Sequence, residues 1–278
     1  MTALAAGDTR ATFDYLRDPP VDDPSVALCY YTEDRSKTTM RVAPVEMAIA
    51  DGRPQIGSFS LDREGFELVE RPTAIADFLD SARVNAEYPA EAADLVRRLT
   101  GASCTFGMGV GLRFGRRRTD YEKTGDDQPA RFPHADFTDA SAQGILDMVG
   151  QNIESCSRRA IYNVWRVFSE PPQDFPLAVC DARTVQSQDE AAAEAILDLP
   201  GSGDHPFRSM TVVYRPNPGN RWTYFSDMTV NEALVFKAYD SDPSRAGRVP
   251  HSSFRNPLAD SDAPSRSSIE ARVLAYFY

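Results

Sequence analysis

Across the first seventy residues, short runs of alternating apolar and polar positions are separated by Asp, Pro and Gly clusters: Val26-Ala-Leu-Cys-Tyr-Tyr31, Met40-Arg-Val-Ala-Pro-Val45 and Phe66-Glu-Leu-Val69. Period-two alternation over such lengths predicts strands. From Thr73 to Leu99 the spacing changes. Ile75, Phe78, Leu79, Ala82 and Val84, then Ala90, Ala93, Leu95 and Leu99, recur at helical intervals and predict a helical layer broken near Pro89, whose ring removes a backbone donor. A strand from Cys104 to Phe114 follows. It carries Gly107-Met-Gly-Val-Gly111, which lacks both the G-x-G-x-x-G and the Lys-Ser/Thr forms of phosphate loops, so those glycines are assigned to a tight backbone approach.

A second helix is expected from about Ala140 to Cys156, with Ile145, Met148, Val149 and Ile153 as its apolar face. Beyond Arg159 the chain reads as strands at short intervals. They are Ala160 to Phe168, Phe175 to Cys180, Ser209 to Tyr214, Arg221 to Phe225, Glu232 to Tyr239 and Ser268 to Phe277, with a short surface helix expected from Gln188 to Leu199. Such spacing points to an all-β sandwich or barrel rather than alternating βα units. Asp240 to Arg248 and Asn256 to Ser265 read as loops near a site. No internal repeat is evident.

At 278 residues, with 42% hydrophobic and 26% charged residues, the chain has globular composition and length enough for one large core. No apolar run is long enough to cross a bilayer, and the start lacks the basic region of a signal peptide. Forty-one acids against thirty bases give a net charge of −11, which argues against nucleic acid and anionic lipid as partners. The basic run Arg113-Phe-Gly-Arg-Arg-Arg118 precedes Asp120, Glu122, Asp126 and Asp127, and reads as a self-compensated loop. Cys29, Cys104, Cys156 and Cys180 show no C-x-x-C spacing; isolated thiols fit a reduced, cytoplasmic chain.

The chemistry lies in two of the three histidines. His134 and Asp136 form an H-x-D pair, which on a strand places imidazole and carboxylate on one face. His251, in Val-Pro-His-Ser-Ser-Phe254, can complete a two-His, one-carboxylate facial triad that leaves positions open for cosubstrate and O₂, as a non-haem Fe(II) oxygenase needs. His205, in a turn-rich segment, is expected to be a solvated loop residue.

The later β segments carry further phrases: Asn163-Val-Trp-Arg166, Pro176-Leu-Ala-Val-Cys-Asp-Ala-Arg183, Arg221-Trp-Thr-Tyr-Phe-Ser-Asp-Met228, Glu232-Ala-Leu-Val-Phe-Lys-Ala-Tyr-Asp-Ser241, Pro250-His-Ser-Ser-Phe254 and Arg266-Ser-Ser-Ile-Glu-Ala-Arg272. In order and spacing, from about His134 to the C-terminus, they resemble the CmcJ-like family of the cephamycin methoxylation protein and the fungal hydroxylase/desaturases. The resemblance implies similarity to Fe(II)- and 2-oxoglutarate-dependent oxygenases. It also implies a mainly β fold with flanking helices around a double-stranded β-helix (jelly-roll, cupin-like) core. We therefore expect a single oxygenase domain over 1–278, with 1–125 supplying N-terminal strands and the helical layer and 126–278 the β-helix core with the metal site. The resemblance makes His134, Asp136 and His251 the iron ligands. Phe137-Thr-Asp-Ala-Ser-Ala after the acidic motif and Asn220 before Arg-Trp depart from the family pattern; both lie outside the metal shell and bear on substrate.

A bound 2-oxoglutarate needs a partner for its distal carboxylate, a task that suits a planar guanidinium. Arg266 opens an Arg-x-Ser, so on a strand Arg266 and Ser268 share a face and can hold one carboxylate together; Arg272 has the same parity and is the reserve. Asn163 and Trp165 share one strand face, with Arg166 on the other. Asn163 is a candidate to hydrogen-bond cosubstrate or a ligand, Trp165 a candidate for the core, and Lys237 faces either the pocket or the sheet surface. Phe137, Tyr239, Phe254 and the run Trp222 to Phe225 are expected to surround a small-molecule substrate that is neutral or cationic and contains rings. The expected function is thus hydroxylation or desaturation of a small molecule, plausibly in secondary metabolism, with Fe(II), 2-oxoglutarate and O₂; the alternative is a non-redox, metal-dependent cupin-like binding protein or lyase. Oligomeric state is not legible.

Overall fold

A computed structural model describes residues 7–31, 35–114, 129–150, 156–197 and 207–278. Its strands are β1 (Thr9–Leu16), β2 (Cys29–Tyr31), β3 (Val42–Asp51), β4 (Phe66–Glu70), β5 (Cys104–Phe114), β6 (His134–Ala135), β7 (Arg158–Val167), β8 (Leu177–Cys180), β9 (Glu190–Leu197), β10 (Phe207–Tyr214), β11 (Trp222–Tyr224), β12 (Glu232–Asp240), β13 (His251–Ser253) and β14 (Ser267–Phe277). Two α-helices accompany them, α1 (Ser81–Thr100) and α2 (Asp139–Val149). The strands form a nine-stranded sheet, β1-β3-β11-β8-β13-β6-β10-β9-β2, and a five-stranded sheet, β4-β12-β7-β14-β5. From β5 to β8 and from β11 to β14 successive strands alternate between the sheets, which is the winding of a double-stranded β-helix. Strands from before and after residue 125 share both sheets.

Each sheet has two buried faces. Between the sheets lie Phe66, Leu68, Trp165, Val167, Leu177, Val179, Phe225, Leu234 and Phe236. Behind the smaller sheet α1 presents Val84, Tyr88, Ala92, Leu95 and Val96 to Tyr162, Val164, Val235, Ile269, Ala271 and Val273. Because both faces of this sheet are covered, β7, β12 and β14 are buried along most of their lengths, polar positions included. The face of the larger sheet opposite the histidines is covered by Phe13, Tyr15, Met47 and Ile49 of β1 and β3, packed on Ala135, Ala178, Trp222, Tyr224 and Phe254.

The expected break at Pro89 does not occur. The α1 helix runs through that residue from its Asp80 cap, whose side chain accepts from the Arg83 amide, to Gly101 at φ +70. The burial of its apolar stripe on the smaller sheet outweighs the missing backbone donor. The segment before Asp80 is irregular rather than helical. In α2 the buried residues are Ala142 and Leu146, while Met148 and Val149 are exposed; Ile153 lies outside the described residues. The segment expected as a helix from Gln188 is the strand β9, paired along its length with β10, so tertiary pairing overrides the helical preference of Glu-Ala-Ala-Ala-Glu-Ala. Lys237 is neither in the pocket nor at the surface: it is fully buried, pairing with Asp240 at 2.5 Å and Asp62 at 2.9 Å. Asp240 also binds Arg158, so the cluster anchors the loop that leads to His251.

Gly107 is where a strand meets a helix backbone: a Cβ there would lie 2.2 Å from the Pro89 carbonyl oxygen. Gly109 has nothing within 4 Å of its equivalent position. Gly107→Ala should therefore destabilise the protein by about 1–3 kcal/mol through overpacking against backbone that cannot rotate away, and Gly109→Ala should be nearly neutral. Urea unfolding midpoints compare the two; equal midpoints would show that α1 shifts freely over β5.

Candidate metal centre

Two short strands bring the histidines together. In the larger sheet β6 lies beside β13 with His251 directly opposite His134, and the ring centroids are 4.3 Å apart. Alternation sends Ala135 into the core on the far side of the sheet and returns Asp136 to the histidine face. The segment is fixed from both ends. Thr211 donates its hydroxyl to the Ala135 carbonyl at 2.6 Å, and Thr138 caps α2 by accepting from the Ser141 amide while its own amide donates to Ser141 Oγ.

One ligand atom from each of His134, Asp136 and His251 lies within 4.8 Å of the others. His134 Nδ1 sits 3.0 Å from the Phe132 carbonyl, and His251 Nδ1 3.2 Å from that of Val249. Each Nδ1–H therefore donates to a backbone oxygen two residues upstream, and each Nε2 keeps its lone pair. A hydrogen bond from the far ring nitrogen to a backbone carbonyl is how proteins fix the tautomer and aim of a ligating imidazole. Burial, reinforced by His251, pushes His134 down to about 4; burial also lowers His251. Both rings are neutral near pH 7. Burial alone would raise Asp136, but Arg272, the two histidines and Asn163 outweigh it and hold the carboxyl well below the usual carboxylate range. Two neutral imidazoles and one carboxylate, with one donor atom of each within 4.8 Å of the others, fit a divalent iron with positions left open.

The smaller sheet supports this centre from across the cavity. In the register, Phe236 of β12 lies opposite Asn163 of β7, and Asn163 opposite Arg272 of β14. That row meets the triad residue by residue. Phe236 packs on His251 with centroids 4.8 Å apart, Asn163 Nδ2 donates to Asp136 Oδ2 at 2.5 Å, and Arg272 Nη2 donates to Asp136 Oδ1 at 3.0 Å. Both carboxylate oxygens are thus gripped by the opposite sheet.

A cavity of about 410 Å³ opens beside the triad. Arg266, 2% exposed, reaches its wall and donates Nη1 to Ser253 Oγ at 2.7 Å and to the Phe175 carbonyl at 2.9 Å, with its guanidinium 5.5 Å from the Trp165 ring. Ser268, at the start of β14 just after Arg266, is buried but does not line the cavity. The hydroxyl that partners Arg266 comes instead from Ser253, two residues after His251, where parity with a metal ligand was the available signal. Trp165 is both core and cavity wall, and Arg166 points the opposite way, under α1, to Tyr88 and the Arg71 carbonyl. Of the aromatic residues expected around a substrate, only Phe137 lines the cavity. Tyr239 packs in one cluster with Phe137, whereas Trp222, Tyr224 and Phe254 lie in the core on the other face of the larger sheet and Phe225 lies between the sheets, so apart from Phe137 none of them lines the cavity. The aromatic wall is Tyr30, Tyr31, Phe132, Phe137 and Trp165. Asn220 lies with the outer core, off the cavity, and His205 and Arg116 to Arg118 lie outside the described residues.

The family model for the oxidoreductase/YMDC permease-like domain matches residues 13–276. The chain is 33% identical over 258 residues to the hydroxylase/desaturase efuI of Hormonema carpetanum, covering 86% of each protein. It is 32% identical over 243 residues to the Fe(II)/2-oxoglutarate-dependent dioxygenase nvfI of Aspergillus novofumigatus, covering 84% of each. A solved structure of the iron and alpha-ketoglutarate-dependent endoperoxidase NvfI superposes with a TM-score of 0.81 at 26% identity, over 98% of this chain and 99% of that one.

Because His134 in the folded, metal-free protein titrates at about 4 rather than its ordinary 6.5, the unfolded chain binds a proton between those values that the folded chain does not. Stability of the metal-free protein should accordingly fall as pH drops from 6.5 towards 4. His134→Asn removes this component. The stability difference between wild type and variant, from urea midpoints in chelator, should shift against the wild type across that window; a flat difference would mean that the imidazole charges freely in the fold.

Proposed function

Because the chain belongs to the oxidoreductase/YMDC permease-like domain family and is an Fe(II)/2-oxoglutarate-dependent oxygenase, we propose that His134, Asp136 and His251 hold the iron and that Arg266 anchors the cosubstrate. The observation that carries the ligand assignment is the convergence of one donor atom from each residue within 4.8 Å, with both Nδ1 atoms on backbone carbonyls so that each Nε2 is left for a metal. Bound Fe(II) supplies O₂ activation coupled to oxidative decarboxylation of 2-oxoglutarate. The chain supplies orientation and dryness. Asn163 and Arg272 fix the carboxylate, the two backbone carbonyls fix the rings, and the aromatic wall excludes water from the reacting centre.

Between the two arginines the geometry favours Arg266 for the distal carboxylate of 2-oxoglutarate. Its guanidinium is held by Ser253, the Phe175 carbonyl and the Trp165 face, and Ser253 Oγ stands beside it as a second donor on the cavity wall. Arg272 is already committed to Asp136 and Glu270. Ser268 supports β14 from within the sheet.

The substrate we infer is a neutral, ring-containing small molecule of secondary metabolism, hydroxylated or desaturated in the cavity. Aromatic rings and Met40, Met108, Val42, Ile145 and Leu177 make its walls mainly apolar. The charged side chains lining the cavity are three carboxylates, Asp14, Asp136 and Glu270, and three guanidiniums, Arg131, Arg266 and Arg272, so the walls carry no net charge. Nucleic acid and anionic lipid are disfavoured by the net charge of −11. No helix among the described residues is long and apolar enough to cross a membrane. All four cysteines are free, in keeping with the proposed cytoplasmic location, and the sharing of both sheets by strands from the two halves of the chain supports a single domain.

His134→Ala, Asp136→Ala and His251→Ala should each reduce iron occupancy and abolish 2-oxoglutarate turnover while the fold persists, since a lost ligand weakens the site far more than the core. Anaerobic titration with Fe(II) and 2-oxoglutarate, followed by the weak visible charge-transfer band of the chelate, reads this directly. An undiminished band in the His251 variant would overturn the ligand set. Arg266→Ala should keep iron but raise the 2-oxoglutarate requirement by the equivalent of about 2–5 kcal/mol, the usual cost of stripping the partner from a buried charge pair. If the requirement rises in Arg272→Ala and not in Arg266→Ala, the anchor is Arg272.

A further inference from the structure

Arg272 stands where a divalent cation would meet opposition. A single nitrogen, Nη2, donates to Asp136 Oδ1 at 3.0 Å and to Glu270 Oε1 at 3.2 Å, while the guanidinium lies 5.4 Å from the Phe137 ring. The carboxylate that a metal must share is therefore already paired with a fixed protein cation. In a partly buried site, where Asp136 is 9% exposed, like charges on one carboxylate repel appreciably.

Glu270 offers the relief. It lies two residues before Arg272 on the same strand face and lines the cavity, opposite Trp165 in the register and one step along the sheet from the row that grips Asp136. A guanidinium Nη carries two hydrogens, so Nη2 serves both carboxylates at once and need not leave one to hold the other. Asn163 keeps Asp136 Oδ2 in either case.

We propose that Glu270 is a positioning residue that takes over Arg272 when the metal site fills. Asp136 Oδ1 is released from the guanidinium towards the cation, and Arg272 stays paired to Glu270. In the empty site Arg272 neutralises Asp136 and keeps the buried carboxylate in place; in the filled site Glu270 neutralises Arg272 and removes a competing cation from the ligand. The inference rests on the reading of His134, Asp136 and His251 as the ligands.

A double-mutant cycle on the full-length, metal-stripped protein tests it, with Co(II) alone as probe, affinity from titration calorimetry and the ligand field from the visible bands. Glu270→Gln should weaken Co(II) binding about tenfold, the lower end of outer-sphere effects, without lowering the melting temperature. In an Arg272→Gln background the same change should cost no more than about twofold, because the competing cation is gone; in an Arg272→Lys background the larger cost should return. If the glutamine background fails to fold, Arg272→Met retains the stem against Phe137 and takes its place. Equal penalties with and without the cation would overturn the proposal, since Glu270 would then act on the metal directly; so would no penalty in either. His134→Ala serves as reference: undiminished Co(II) binding in that variant would instead overturn the ligand assignment.

Discussion

The contacts of Asp136 with Asn163 and Arg272 tie the larger sheet to the smaller across the middle of the β-helix. A carboxylate taken out of water without partners costs several kcal/mol, so its position is set by whichever groups satisfy it. Here those groups are on adjacent strands and at the same level of the register, which makes the distance between sheets and the aim of the carboxylate one constraint rather than two. The rest of the centre follows. His134 is carried on the same short strand, His251 is set opposite it, and Phe236 closes the row against the His251 ring.

The same economy explains why the strands are so short where the chemistry is. β6 has two residues and β13 three, too few for much ladder stability of their own. Their hold comes from neighbours: β8 and β10 on either side, the Thr138 cap at one exit, and the ion-paired loop from Asp240 to Arg248 ahead of His251. Arg248 adds a link between the segments that carry the proposed ligands, donating to Asp139, three residues after Asp136, and to Glu190 at 2.9 Å.

Much of this was legible in the sequence because period-two alternation survives burial. The facing of His134 with Asp136, of Asn163 with Trp165 and of Arg266 with Arg272 follows from parity alone, and the strand runs from Ala160 onward appear within a few residues of their expected limits. What failed were local preferences overruled by distant partners. The alanine-rich segment at Glu190 is a strand because β10 pairs with it, α1 passes through Pro89 because its stripe is buried, and Lys237 is interior because Asp62 and Asp240 receive it. Parity also does not tell which of several residues on one face reaches a cavity. Ser253 meets Arg266 from another strand while Ser268, two residues along, stays within the sheet, and Arg272 reaches the metal carboxylate through a row of three strands that no linear spacing encodes.

The cavity is lined from three stretches of chain. The triad, Trp165, Ser253 and the arginines come from residues after 129, Met108 comes from β5, and Asp14, Tyr30, Tyr31, Thr38, Met40 and Val42 come from the N-terminal strands and the segments beside them. These N-terminal residues include none of the proposed ligands, and their strands β1 and β3 are joined to those of the two histidines through β11 and β8, and β2 through β9 and β10. Substitutions in that part of the wall would therefore reshape what the cavity admits without touching a proposed ligand, which separates the choice of substrate from the making of the reactive centre.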